Sequence, residues 1–162
     1  MASKKPLIWG ADGRPEEITN ADNLDAAINE KDVVVLSNAN VGAILIGTPV
    51  YKNATSGEMD KARANASGTK NVIGIVIDAS VAPAASGSVQ TDGMVVATTA
   101  DWDAVTGQTG GLTPGTEYWL DEASAGGMRT TPPGAGTYLV RIGTAISATE
   151  MEVSLVYVGK KA

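Results

Sequence analysis

The chain has 162 residues and a formal net charge of −6, which fits one domain or one domain with an arm and argues against nucleic-acid binding by phosphate neutralisation. It contains no Cys and no His. Disulfides, thiolate metal sites, Ser-His-Asp and Cys-His nucleophile systems and HExxH zinc sites are therefore excluded within one chain, and no catalytic, cofactor-binding or metal-binding residues are expected.

A chain of this size can bury roughly 68–70% of its unfolded surface, so a core needs no covalent staple. Phe is absent, while Gly numbers 19. With Ala, Val and Thr abundant, this is the composition of a mainly β protein with short strands and tight turns. No apolar run approaches the roughly 18–20 residues of a membrane span, so no membrane partner is expected. Pro6 to Trp9 is too short for a signal-peptide core of about 7–15 residues, and a cytoplasmic site of synthesis is expected. The sequons Asn53-Ala54-Thr55 and Asn65-Ala66-Ser67 are then incidental.

Residues 1–20 read as extended, with Ala11-Asp12-Gly13-Arg14-Pro15 as a turn. Asn20 or Asp22 can cap a short helix over 21–30, where Leu24, Ala27 and Ile28 share one face. Asp32 to Leu36 is a β-branched run and predicts a strand. Only Gly10 and Gly13 fall in the first 40 residues; the other 17 glycines lie beyond. That shift divides the chain into an N-terminal arm with a short helix, 1–40, and a β-domain, 41–162.

In the second part, strands are predicted at Ala43–Ile46, Pro49–Asn53, Met59–Arg63, Val72–Asp78, Ser88–Thr91, Met94–Thr98, Glu117–Leu120, Thr137–Ser147 and Met151–Val158. Asp92-Gly93 between two β-rich runs predicts a hairpin. The sequence also echoes itself. Ile73-Gly74-Ile75-Val76-Ile77-Asp78 and Ile142-Gly143-Thr144-Ala145-Ile146-Ser147 share Ile-Gly-x-[Val/Ala]-Ile-[Asp/Ser], each with a second strand after it. Gly inside a strand marks a bulge or close backbone approach, so two related β corners are expected. The fold class is an antiparallel β-sandwich or β-barrel with an extended N-terminal arm and one short helix.

Asp101-Trp102-Asp103 could bind Ca²⁺ or flank a sugar stacked on the indole. The EF-hand pattern fails, because Val105 and Thr106 stand where an oxygen ligand and Gly are needed. Read as extended, the segment puts both carboxylates on one face and Trp102 on the other, which suits a core Trp beneath a solvated loop. Asp121-Glu122 could act as a glycosidase acid and base, but adjacent acids more often cap a hairpin. Gly107 to Gly111 lacks the Lys-Ser/Thr of a phosphate loop. Trp102, Tyr118, Trp119 and Tyr138 read as core or interface aromatics, as does Tyr157.

Gly111-Leu112-Thr113-Pro114-Gly115 followed by Tyr118 and Leu120, then Gly126-Gly127, then Gly143, Ala145 and Ser147, form a pattern of turns and strands. It resembles a module of tailed-bacteriophage virion proteins, both capsid decoration and tail or fibre proteins. Gly74-Ile75-Val76 followed by Gly87, Val89 and Gly93 looks like small phage capsid cement proteins. The N-terminal positions Pro6, Leu7, Ile8, Gly10, Asp12, Gly13, Pro15, Asp22 and Leu24 resemble the attachment segments of some decoration and head-fibre proteins.

The resemblance implies a non-enzymatic capsid decoration (cement or head-fibre) protein at the virion surface. Its partner would be the major capsid protein, and a homo-oligomer is implied, a trimer foremost. Pro6, Leu7, Ile8 and Trp9 are the candidate capsid-attachment residues. Alternatives are a tail, baseplate or fibre-attachment protein, a carbohydrate-binding module using Trp102 and Trp119, and, last, an enzyme.

Overall fold

The computed structural model describes the backbone of Leu7–Trp9 and Pro15–Glu17 and, in full, residues 32–162. The chain divides into two units, Met1–Asp32 and Val33–Ala162. In the first, β1 (Leu7–Trp9) pairs antiparallel with β2 (Pro15–Glu17), setting Leu7 opposite Glu17, Ile8 opposite Glu16 and Trp9 opposite Pro15. Pro6 and the helix expected over 21–30 lie outside the described residues.

The second unit is mainly β. Its strands are β3 (Val33–Ser37), β4 (Ile44–Leu45), β5 (Pro49–Lys52), β6 (Met59–Lys61), β7 (Val72–Val76), β8 (Ser80–Val81) and β9 (Ser86–Gln90). They continue with β10 (Gly93–Val96), β11 (Glu117–Leu120), β12 (Met128–Arg129), β13 (Tyr138–Ala145) and β14 (Glu150–Lys160). One helix, α1 (Thr99–Thr106), follows β10. The strands form two five-stranded antiparallel sheets, ordered β3-β9-β7-β5-β6 and β10-β14-β13-β11-β12, and a β4-β8 ribbon. Both sheets are open at their edges, so of the two expected architectures the sandwich-like one is found.

The two sheets repeat one topology. Numbering the strands of each by position in the chain gives the order 1-5-4-2-3 in both. The register repeats as well. Val50 on β5 faces Gly74 on β7, and Tyr51 then faces Val72, skipping Ile73. Tyr118 on β11 faces Gly143 on β13, and Trp119 then faces Arg141, skipping Ile142. Each sheet thus carries a bulge at its Ile-Gly pair, which increases local twist and bends the strand. Lys52 pairs with Met59 as Leu120 pairs with Met128. Val76 pairs with Val89 as Ala145 pairs with Met151. The echo expected from the sequence is therefore a duplication of a whole five-stranded sheet.

Two cores hold the unit. The larger takes Ile75 from the first sheet and Tyr118, Leu120, Ile142, Met151 and Val153 from the second, with Trp102 and Val105 of α1. The smaller gathers Val50, Met59, Val76 and Val89 of the first sheet with Ile44 and Val81 of the ribbon. Neighbouring residues Ile75 and Val76 enter different cores because side chains alternate along a strand. Each fully buried aliphatic side chain contributes about 1.5–3 kcal/mol.

The sheets are also tied at their corners. Beyond β6, Gly126 N–H donates to the Ala62 carbonyl (2.7 Å), and Ala64 N–H donates to that of Asp121 (2.9 Å). Arg63 Nε donates to the Glu122 carbonyl at 2.9 Å.

Two expectations are overturned. Asp92-Gly93 does not close a hairpin: β9 pairs with β3 and β7, while β10 pairs with β14 in the other sheet. A type I′ turn needs positive φ at both central residues. Gly93 has φ +93°, but among the described non-glycine residues only Ala84 has positive φ, so Asp92 does not. The dipeptide instead carries the chain from one sheet to the other. The second correction is at Asp101-Trp102-Asp103, which is helical and not an extended loop. Its N-terminus is closed by a capping box: Thr98 Oγ1 accepts from Asp101 N–H (3.2 Å), and Thr98 N–H donates to Asp101 Oδ2 (3.0 Å). These bonds satisfy donors that the first helical turn leaves open.

Candidate interaction surfaces

The acidic residues singled out from the sequence are built into turns. Asp101 serves the N-cap of α1. Asp103 accepts from Gly110 N–H (3.1 Å) and Gly111 N–H (2.7 Å), folding the segment after α1 back onto the helix. Asp121 Oδ1 accepts from Ala123 N–H at 2.7 Å in the β11–β12 loop. Glu122 pairs with Arg129 and also accepts from Gly134 N–H (3.4 Å). The hydrogen bond from Arg129 is the main reason the Glu122 carboxyl sits below its ordinary range, against the smaller opposing effect of burial. The same contact raises Arg129. Asp121 and Glu122 thus cap a hairpin, as its sequence suggested. Among the described residues no group of three His, Cys, Asp or Glu side chains could hold a metal ion. No helix among them is long and apolar enough to cross a membrane.

The four aromatics divide between interior and surface. Trp102 and Tyr118 are fully buried in the larger core. Trp102 Nε1 donates to the Thr149 carbonyl at 3.0 Å. Tyr118 Oη donates to Gln108 Oε1 (2.6 Å) and accepts from Thr113 N–H (2.8 Å), which fixes the Leu112-Thr113-Pro114-Gly115 turn against the core. Trp102 therefore has no face open to a sugar. Trp119 is half-buried, on the opposite face of β11 from Tyr118.

Tyr138 is half-buried beside exposed Tyr157, with ring centroids 6.4 Å apart. Lys70 Nζ stands 4.2 Å from the centre of the Tyr157 ring and 5.3 Å from that of Tyr138. Tyr51, on β5 of the first sheet, has its pKa raised by burial and then by Asp60 opposite it on β6. Of the candidate attachment residues, Leu7, Ile8 and Trp9 form β1.

Two features escaped the sequence reading. One is a cleft of about 330 Å³ lined by Thr48, Lys61, the end of α1 and the Asp121–Met128 loop, at the small end of the range of ligand pockets. The other is a set of exposed apolar side chains on β10 and β14, with Met94, Val96, Val156, Tyr157 and Val158 foremost. Met94-Val95-Val96 carries no apolar–polar alternation, and an apolar residue on both faces of a strand hides which face is buried. The sequence matches no protein-family model and no curated protein.

Proposed function

We propose that this chain is a non-enzymatic virion structural protein that binds and stabilises an assembled phage head, with the major capsid protein as its partner. One observation supports the reading above the others. Leu7, Ile8 and Trp9 form one strand of a two-stranded ribbon within the unit Met1–Asp32. Trp is among the residue types that interfaces favour, and the resemblance puts attachment in this segment. The sandwich-like unit would supply the rest of a decoration protein: a β body whose turns resemble the virion-protein pattern. Copies repeated over a lattice would turn modest individual contacts into firm attachment by avidity.

The test is rebinding of purified protein to capsids that lack it. Deleting residues 1–20 is expected to abolish rebinding while circular dichroism and the melting transition of the β-domain persist. Undiminished rebinding by that variant overturns attachment through the ribbon. Immunogold labelling of particles separates head from tail: label confined to the tail would favour the baseplate or fibre-attachment reading.

A further inference from the structure

The cleft beside α1 holds a hydroxyl that the fold leaves without a partner. Thr48 is only 4% exposed. Its N–H donates to the Leu45 carbonyl (3.3 Å), and its carbonyl accepts from Val76 N–H (3.1 Å). Its Oγ1 has no hydrogen-bond partner among the described residues. Among those residues the fully buried side-chain polar atom that lacks a partner is Arg141 Nε. The Thr48 hydroxyl is therefore open to the cleft that Thr48 lines. The β11–β12 loop comes close beside it: a Cβ built on Gly126 would lie 2.6 Å from Thr48 Cγ2. A hydroxyl buried without a partner destabilises a fold, and a ligand that pairs it removes that penalty.

Two charges share the cleft. Lys61, half-buried on β6, stands in no ion pair; those among the described residues are Glu122–Arg129 and Glu117–Arg141. Asp121 uses Oδ1 on Ala123 N–H, which leaves Oδ2. Arg129, whose charge Asp121 also feels, is held by Glu122. The last turn of α1 forms another wall and carries no basic residue. Its Ala104, Val105 and Thr106 carbonyls accept from no backbone N–H. They are the orphan acceptors at the negative end of a helix. Buried Val105 and Met128 add an apolar lining.

We propose that this cleft binds a free α-amino acid with an apolar side chain. The carboxylate takes Lys61 Nζ and Thr48 Oγ1, the ammonium takes Asp121 and the α1 carbonyls, and the side chain rests on Val105 and Met128. A cation and an anion that do not pair with each other match a zwitterion; a simple anion would leave Asp121 unanswered. No aromatic ring lines the cleft, so a flat base has no platform on which to stack. At about 330 Å³ the space is at the small end for ligands, which suits one amino acid. The inference stands apart from the decoration reading, and neither falls with the other.

Amide NMR of the full chain, titrated with L-valine, L-leucine and L-methionine to about 20 mM, tests it. At least one is expected to give saturable shifts centred on Thr106, Gly107, Gly126 and Gly127. Its amide and its N-acetyl form each lack one charge and are expected to bind at least about tenfold more weakly. Thr48→Val keeps the side-chain shape and Lys61→Met keeps the stem. Each is expected to weaken binding at least about tenfold while the melting transition holds. The proposal is overturned if none of the three amino acids gives a saturable shift, or if the shifts centre elsewhere. It is equally overturned by blocked forms that bind as well as the free amino acid, or by undiminished binding in either variant.

Discussion

Gly74 and Gly143 hold the same place in two successive sheets. A Cβ built on Gly74 would lie 2.1 Å from the Gln90 carbonyl oxygen, and one on Gly143 would lie 2.1 Å from that of Glu152. Gln90 and Glu152 are themselves counterparts, on β9 and β14. The obstacle in both cases is backbone of the neighbouring strand, which cannot swing aside as a side-chain tip can. Gly74→Ala and Gly143→Ala are each expected to cost about 3 kcal/mol or more, the upper end for overpacking. Gly68→Ala meets nothing within 4 Å and is expected to stay within about 0.5 kcal/mol of the parent. Urea unfolding midpoints compare the three; equal midpoints for Gly74→Ala and Gly68→Ala would refute the close approach.

These glycines also show what the sequence made legible. The shared Ile-Gly-x-[Val/Ala]-Ile motif revealed the two corners because the bulge needs a residue without Cβ, and that need is written in the residue itself. The repeated strand order was not legible, because pairing partners far apart in the chain leave no local mark. Asp92-Gly93 misled for the same reason: the dipeptide carries a hairpin signature, while burial of Val95 and pairing with β14 draw Gly93–Val96 into the other sheet. The two-residue strands β8 and β12 are too short to show a period. The helix α1 did leave a signal, Thr98 with Asp101 three residues on, but the Ala97-Thr98-Thr99-Ala100 run at its start and only two buried residues within it left no helical stripe to read.

The cap of α1 yields a second prediction. Thr98 and Asp101 exchange bonds at the helix N-terminus, and Asp103 holds Gly110 and Gly111 at its other end. Thr98→Ala is expected to cost about 1 kcal/mol, the usual value of a lost N-cap. Asp103→Ala leaves two backbone N–H groups without their charged acceptor and is expected to cost about 1–3 kcal/mol. Thermal melts of both variants give the order; a Thr98→Ala loss larger than that of Asp103→Ala would contradict this assignment.

Acid should act through the Glu122–Arg129 pair. The Glu122 carboxyl is held below its unfolded value by the hydrogen bond from Arg129. A carboxyl depressed in the folded state contributes stability above its unfolded pKa of about 4.3–4.5 and loses it as pH falls through the folded value. The side chains are 24% and 35% exposed, so screening limits the contribution to about 1 kcal/mol or less. Glu122→Gln is therefore expected to be less stable than the parent near neutral pH and to lose less stability below about pH 4. Parallel stability curves down to about pH 2 would remove the pair from this role.

Trp102 is expected to be the most costly single side chain to remove. It is fully buried and joins α1 to the junction between β10 and β14. The Thr149 carbonyl it reaches also accepts from Ala97 N–H at 3.0 Å, so losing the indole N–H would not leave that oxygen unpaired. The cost of substitution therefore lies in volume and not in the hydrogen bond. Trp102→Ala is expected to cost about 3–5 kcal/mol, and Trp102→Phe, which refills most of the space, clearly less. Trp119→Ala, on the half-buried outer face, is expected to cost about 1 kcal/mol or less. Fluorescence gives an independent check: Trp102→Phe should remove the short-wavelength component of the native emission, and Trp119→Phe should spare it. If Trp102→Ala and Trp119→Ala melt together, α1 is not anchored by the indole.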